Sequence, residues 1–260
     1  MEKQQLIELY TYRVENAIKN ADGLLTKLGR DQFDVIGMSS TKVRIFLNEI
    51  IKPDTKYLEI GVWAGSTFVA ALHGNTPLSA IAIDNFSEFT DDINVNTKKV
   101  NFETSLEDIA KLAEEEALNP VQPSSAFFDN LKKNNISNYK FINSDCFKLN
   151  PEDKESIKDI NVYLYDGGHT AEDHKNALTY YLDNMSDIFI LIIDDWNFPP
   201  VKEGTAIGLQ ETNLKIHKHW ELPANSYRKV VIDDKEVEIF DGDASQWWNG
   251  YYVAVCEKQK

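Results

Sequence analysis

Apolar residues follow two rhythms along this chain. Over residues 3–30, Leu6, Leu9, Tyr10, Val14, Ala17, Ile18, Leu24, Leu25 and Leu28 recur at helical spacing, with a break near Gly23. After FDVIGM, the run SSTKVRIFLNEII predicts a second helix, with Ser39 or Ser40 as its N-cap and Pro53 closing it. Then the rhythm changes. KYLEIGV is a short continuous apolar run ending at a glycine, and STFVAALHG after it predicts a helix. SAIAID (79–84), YKFINSD (139–145), INVYLYD (160–166) and IFILIID (188–194) are further strand-like runs, the last the strongest. AEDHKNALTYYLDNM, between the last two, predicts an amphipathic helix. Continuous apolar strands alternating with helices predict an α/β doubly wound fold, its mostly parallel sheet covered on both faces.

From residue 214 the order weakens. LKIHKHWEL, KVVID, EVEIF and YYVAVCEK all read as strands and predict an antiparallel C-terminal edge. The whole chain, 1–260, reads as one domain with an N-terminal helical cap over 1–52. One stretch exceeds what a crossover needs: residues 86–123, rich in Asp, Glu and Asn and containing EDIAKLAEEEAL. It reads as an insertion, either a lid or oligomer contact or a solvated extra helix.

Composition narrows the partners. Asp and Glu number 42 against 27 Lys and Arg, for a net charge of −15, and no basic cluster overrides it. Phosphate backbones and anionic membranes are repelled, so neither nucleic acid nor a membrane surface is expected. A small neutral or cationic substrate and a divalent cation are compatible. The two cysteines, Cys146 and Cys256, lie far apart with no CxxC spacing, which predicts a reduced, cytoplasmic chain. The first twenty residues mix charge into a helical period and lack a signal peptide's apolar stretch. No apolar run reaches the ~18 residues that a membrane span needs.

Candidate chemistry begins at YLEIGVWAGST, 57–67. A strand delivers Glu59, and Gly61 and Gly65 let the backbone turn tightly before a helix starts near Ser66. A structural turn also explains such a glycine pair. The segment is not the GxGxxG of nicotinamide binders, because Trp63 stands where that loop wants a small residue. Asp84 ends the next strand, where a carboxylate can accept both ribose hydroxyls of an adenosine, or simply cap its loop. Asp145, ending the third strand-like run, can meet an adenine amino group or make a turn. Asp166 ends one later strand, and Asp194 and Asp195 end another. In a parallel sheet these ends face one crevice, and carboxylates crowded there repel one another unless a cation or a proton intervenes. Oxygen ligands without cysteine suit Mg²⁺, Ca²⁺ or Mn²⁺. Asp194 and Asp195 as plain loop caps are the alternative.

Taken together, EIGVWAGST, Asp84, YDGGH and IIDDW resemble class I S-adenosylmethionine (SAM)-dependent methyltransferases. They are most similar to the metal-dependent O-methyltransferases of the catechol type and the related sugar and macrolide enzymes. The resemblance covers roughly 36–200 without the insertion, and it implies a seven-stranded Rossmann-like sheet. It also implies that Glu59, Gly61, Trp63 and Gly65 shape the methionine end of a SAM site, with Ser66 and Thr67 at the helix start. Asp84 would hold the ribose, and Met38, Ser39 and Ser40 would touch SAM from above. Asp166, Asp194 and Asp195 would hold a divalent cation, Mg²⁺ by default, that lowers the pKa of the acceptor hydroxyl. His169 stands where the catechol-type enzymes carry a lysine base, and an imidazole titrating near neutrality suits that task. Starting the following helix is its other reading. The usual Pro-Gly-Gly turn before the fifth strand is replaced here by DNMSD. The aromatics Trp247, Trp248, Tyr251 and Tyr252 follow no pattern of the family, and a packed sheet edge or an acceptor pocket would explain them.

The expected activity is therefore methyl transfer from SAM to a hydroxyl of a small metabolite. A nicotinamide-dependent oxidoreductase, disfavoured by Trp63, is one alternative. A SAM- or nucleotide-binding domain without catalysis is the other.

Overall fold

The first helical period forms one long helix, α1 (Lys3–Asp22), which stops at Gly23. It buries Tyr10, Val14, Ala17 and Ala21, positions that share one face at helical spacing. A single turn, α2 (Arg30–Phe33), leads to α3 (Thr41–Ile50). Of the two serines expected to cap α3, Ser40 does so, its Oγ accepting from the Val43 N–H at 3.3 Å. The computed structural model describes residues 2–87, 122–222, 227–232, 235–240 and 247–259, with 227–232 and 235–240 described by their backbone.

The strand-like runs become β1 (Lys56–Ile60), β2 (Ser79–Asp84), β3 (Lys140–Asn143), β4 (Ile160–Tyr165) and β5 (Met185–Ile193). Near the C-terminus come β6 (Lys215–Leu222), β7 (Tyr227–Ile232), β8 (Lys235–Phe240) and β9 (Tyr251–Glu257). Seven strands form one sheet in the order β3-β2-β1-β4-β5-β9-β6, with β9 antiparallel to both its neighbours. This is the doubly wound, mostly parallel sheet with an antiparallel C-terminal part that the strand pattern predicts, with the seven-stranded Rossmann-like form that the resemblance implies. Only β6 and β9 of the four late runs join it; β7 and β8 pair as a separate antiparallel hairpin.

Side chains alternate between two cores. Tyr57, Val162, Leu164, Ile190, Ile192 and Val253 pack with α1, α3 and α4 (Ser66–Leu72) on one face. Leu58, Ile60, Tyr163, Tyr165, Leu191 and Ala254 pack with Ala177 and Leu178 of α7 (Ala171–Thr179) on the other. The remaining helices among the described residues are α5 (Pro123–Lys133), α6 (Pro151–Ser156) and α8 (Pro199–Glu211). The helix expected over AEDHKNALTYYLDNM ends at Thr179; Leu182–Asn184 form a 3₁₀ turn instead of continuing it. Of the proposed insertion 86–123, residues 88–121, with EDIAKLAEEEAL, lie outside the described residues. Among the described residues no helix is long and apolar enough to cross a membrane.

Register positions the chemistry. Ile60 is level with Ile83 and with Tyr165, Tyr165 is level with Ile193, and Ile193 faces Tyr252. The residues that follow in each parallel strand, Gly61, Asp84, Asp166 and Asp194, therefore emerge at one height. They do so beside the β1/β4 boundary, where the strand order reverses and a crevice opens.

Candidate active site

Gly61 shows why the turn after β1 is built of glycine. Its φ is +81°, and a Cβ there would lie 1.7 Å from the Asp166 carbonyl oxygen, because the end of β4 runs directly against it. Trp63 also adopts a left-handed φ, +40°. The turn is held by Asp84: its Oδ2 accepts from the N–H groups of Val62 (2.9 Å) and Trp63 (2.8 Å), and its Oδ1 from Phe86 N–H (2.7 Å). Asp84 thus clasps the turn from the neighbouring strand. Beneath it, Glu59 is fully buried and accepts hydrogen bonds from Tyr57 Oη and Thr67 Oγ1, each at 2.5 Å. Burial pushes its carboxyl up to about 7 despite those donors.

The 37–40 segment covers the start of α4. Ser39 Oγ lies 2.9 Å from Ser66 Oγ and accepts from Arg44 Nε at 3.0 Å, while a Cβ on Gly37 would meet Ser66 Oγ at 1.9 Å. Asp145 accepts from Phe147 N–H (3.0 Å) and from Lys148 Nζ (2.7 Å), and Lys148 holds its carboxyl below the ordinary range.

At the other end of the crevice the acidic groups meet. Donor atoms of Asp166, His169 and Asp195 all lie within 4.8 Å of one another. His169 Nε2 is 2.7 Å from Asp195 Oδ2, and Asn249 Nδ2 donates to Asp195 Oδ1 at 2.7 Å. Asp194, 4% exposed, lies beside them: its Oδ1 accepts from Asp195 N–H at 2.7 Å, and its carboxyl shares a hydrogen bond with that of Asp166. Desolvation, then the charges of Asp194 and Asp195, push Asp166 well above the usual carboxylate range. Burial and then Asp195 do the same to Asp194, so this pair retains a proton where a free carboxyl would lose it. Tyr251, fully buried on β9, has no hydrogen-bond partner for its hydroxyl among the described residues; burial and then Asp194 raise its pKa.

One cavity of about 730 Å³ spans both ends. Met38, Gly61, Trp63, Ser66, Thr67, Asp84, Asp145, Asp166, His169, Asp194 and Asp195 line it. Glu59, Gly65, Ser39 and Ser40 stand behind its wall, where they brace the turn and the helix start rather than face the space. His174, 1% exposed, packs edge-on to Tyr165 at 5.0 Å away from that wall, and burial lowers its pKa to about 4. Among the aromatics without a sequence pattern, Trp248 joins the lining, whereas Trp247, Tyr251 and Tyr252 pack into the sheet. Asn249, Phe198, Phe147 and Lys148 also belong to the lining and carried no motif. The only local signal at Asn249 is the turn dipeptide Asn-Gly before a strand.

No family model matches the chain, and no curated protein matches it. Solved structures do. A provisionally named SAM-dependent methyltransferase from Streptococcus mutans is 13% identical, with a TM-score of 0.46, over 83% of this chain and 48% of that one. An rRNA methylase from Streptococcus thermophilus is 13% identical, with a TM-score of 0.42, over 84% and 94%. A provisionally named O-methyltransferase from Klebsiella pneumoniae is 10% identical, with a TM-score of 0.46, over 94% and 89%. The chain spans about half the length of the first solved structures it matches. At such identities and scores the functional reading rests on the residues themselves.

Proposed function

We propose that this chain is a SAM-dependent methyltransferase acting on a hydroxyl of a small molecule with the help of a divalent cation. One observation carries the reading. A single cavity joins the glycine turn and its strand-end carboxylate Asp84 to the cluster of Asp166, His169 and Asp195. The first end suits an amino acid and a ribose, and the second suits an acceptor hydroxyl.

In this reading Gly61, Trp63, Ser66 and Thr67 line the methionine end, and Glu59 keeps the helix start in place through Thr67. Asp84 offers its carboxylate to the ribose while holding the turn, and Asp145 stands on the adenine side. Met38 covers the site from above; Ser39 and Ser40 anchor that segment. The domain is one unit, 1–260, with residues 1–52 as its cap and 86–123 as an insertion.

The donor set fits a hard cation. Two carboxylates and an imidazole converge where burial, and then the neighbouring carboxylates, raise the pKa of Asp166. Asp166 and Asp195 would hold the ion, with Asp194 fixing them through Asp195 N–H and its hydrogen bond to Asp166. When bound, a divalent cation supplies Lewis acidity that lowers the pKa of a coordinated hydroxyl. His169 takes the acceptor proton, and Asp195 at 2.7 Å stabilises the imidazolium that results. The sulfonium is an activated methyl donor, so alignment and deprotonation are the protein's tasks. The cluster also favours a second role for His169, as a ligand. An acid-lined cavity in a chain of charge −15 favours a small neutral or cationic acceptor over RNA.

Calorimetry with S-adenosylhomocysteine, with Mg²⁺ or with EDTA, tests the reading. Micromolar binding is expected, and no binding at all would overturn the methyltransferase assignment. His169→Gln, which keeps a donor for Asp195 without the imidazole's basicity, tests the base: methyl transfer is expected to fall about 100-fold or more while S-adenosylhomocysteine affinity is kept.

A further inference from the structure

We infer that Asn249, delivered by the C-terminal strand, is the positioning residue that sets the orientation of the Asp195 carboxylate in the cation centre. This rests on the reading above. Asp195 has its two oxygens held by different partners: Oδ2 by His169 Nε2 and Oδ1 by Asn249 Nδ2, both at 2.7 Å. A carboxylate gripped at both oxygens cannot rotate about its Cβ–Cγ bond, so the atom facing Asp166 is fixed. Its backbone is set as well. Asp195 has φ +56°, a left-handed conformation that a non-glycine residue holds only where its surroundings impose it.

Those surroundings are the 247–250 turn. Asn197 N–H donates to Asn249 O at 2.8 Å, Trp196 N–H to Gly250 O at 3.0 Å, and Gly250 N–H closes the turn on Trp247 O at 2.8 Å. Gly250 has φ +91°, and a Cβ there would sit 2.8 Å from Asn197 Oδ1, so the two loops lie in contact. The backbone ladder docks the loops and the Asn249 amide then reaches the carboxylate. Hydrogen bonds from neighbours to a ligating carboxylate orient it, and losing them typically costs about 10–100-fold in metal affinity. Asn249 does not ligate in this assignment; it acts through Asp195.

The test is Mn²⁺ binding by calorimetry on the full chain, with S-adenosylhomocysteine affinity and thermal stability measured beside it. Asn249→Ala is expected to bind Mn²⁺ about 10–100-fold more weakly while S-adenosylhomocysteine affinity stays within about twofold. Asn249→Ser, which keeps a shorter donor, should fall between it and the parent, and it decides the matter if the alanine variant does not fold. Glu221→Ala is the structural control: Glu221 accepts from Trp196 Nε1 at 2.9 Å and steadies the same loop without touching Asp195. It should lower the melting temperature and leave Mn²⁺ affinity alone. Equal Mn²⁺ affinity in Asn249→Ala and the parent overturns the inference. So does equal weakening in Asn249→Ala and Glu221→Ala, which would mean that Asn249 serves loop stability alone. A parent protein that binds no Mn²⁺ removes the cation reading and this inference with it. One that binds Mn²⁺ but no S-adenosylhomocysteine removes the SAM reading and leaves Asn249 to be judged on the variants.

Discussion

Glu59 carries a consequence that its exposure-free position makes measurable. Its carboxyl is raised from 4.5 to about 7, chiefly by burial, so the folded state binds a proton more tightly than the unfolded chain. Such a group contributes stability that is fully present below pH 4.5 and is lost as pH rises through about 7. Glu59→Gln removes that titration. Relative to the variant, the parent should lose on the order of 3 kcal/mol between pH 4 and pH 8, measured by urea denaturation. An unchanged difference between the two proteins across that range would mean that Glu59 is not protonated in the fold. Asp166 and Asp194 are shifted in the same direction and add to the slope in both proteins, which is why the comparison, rather than the parent's profile, isolates Glu59. The residue itself was legible in the sequence as the acid before the glycine turn. Its place behind the wall was not, since that depends on Tyr57 and Thr67 reaching it from two elements.

At the scale of elements, α7 aims His169. Thr170 caps this helix, accepting from Asp173 N–H at 3.1 Å, and Asp173 Oδ2 accepts in return from Thr170 N–H at 3.2 Å. Thr170→Ala should cost about 1 kcal/mol of stability in thermal or chemical melts. Because the neighbouring residue is His169, it should also weaken Mn²⁺ binding by severalfold. A stability loss with no change in affinity would show that the cap does not aim the imidazole. Capping was readable locally, from threonine three residues before an acid. Where the helix ends was not: the apolar period runs on through Tyr180 and Tyr181, yet Tyr181 turns to donate to Cys146 O at 2.5 Å and the helix stops at Thr179. A partner 35 residues away overrode the local pattern.

For the whole molecule, β9 is the strand on which the sheet's second half depends. All seven of its residues are buried, and it bridges β5 and β6 while holding the turn that brings Asn249 to the site. Removing residues 247–260 leaves the hydrophobic edge of β5 unpaired, and such edges aggregate. The truncated chain should be insoluble or elute as aggregate in size-exclusion chromatography, whereas a shortened β7–β8 hairpin should leave the sheet intact, because among the described residues that hairpin pairs only with itself. A monomeric truncated chain that still binds S-adenosylhomocysteine would overturn this ranking.

The sequence by itself determined the alternation of strands and helices, the two-faced burial of the parallel strands and the acids at their ends. Each of these is written in local apolar period and in residues that a turn requires, such as Gly61. The insertion of β9 between β5 and β6 needed the tertiary structure. So did the contact of Asn249 with Asp195, because these join residues as distant along the chain as Ile188 and Glu257. Periodicity reports which face a residue turns to its own element; it does not report which distant strand arrives to meet it.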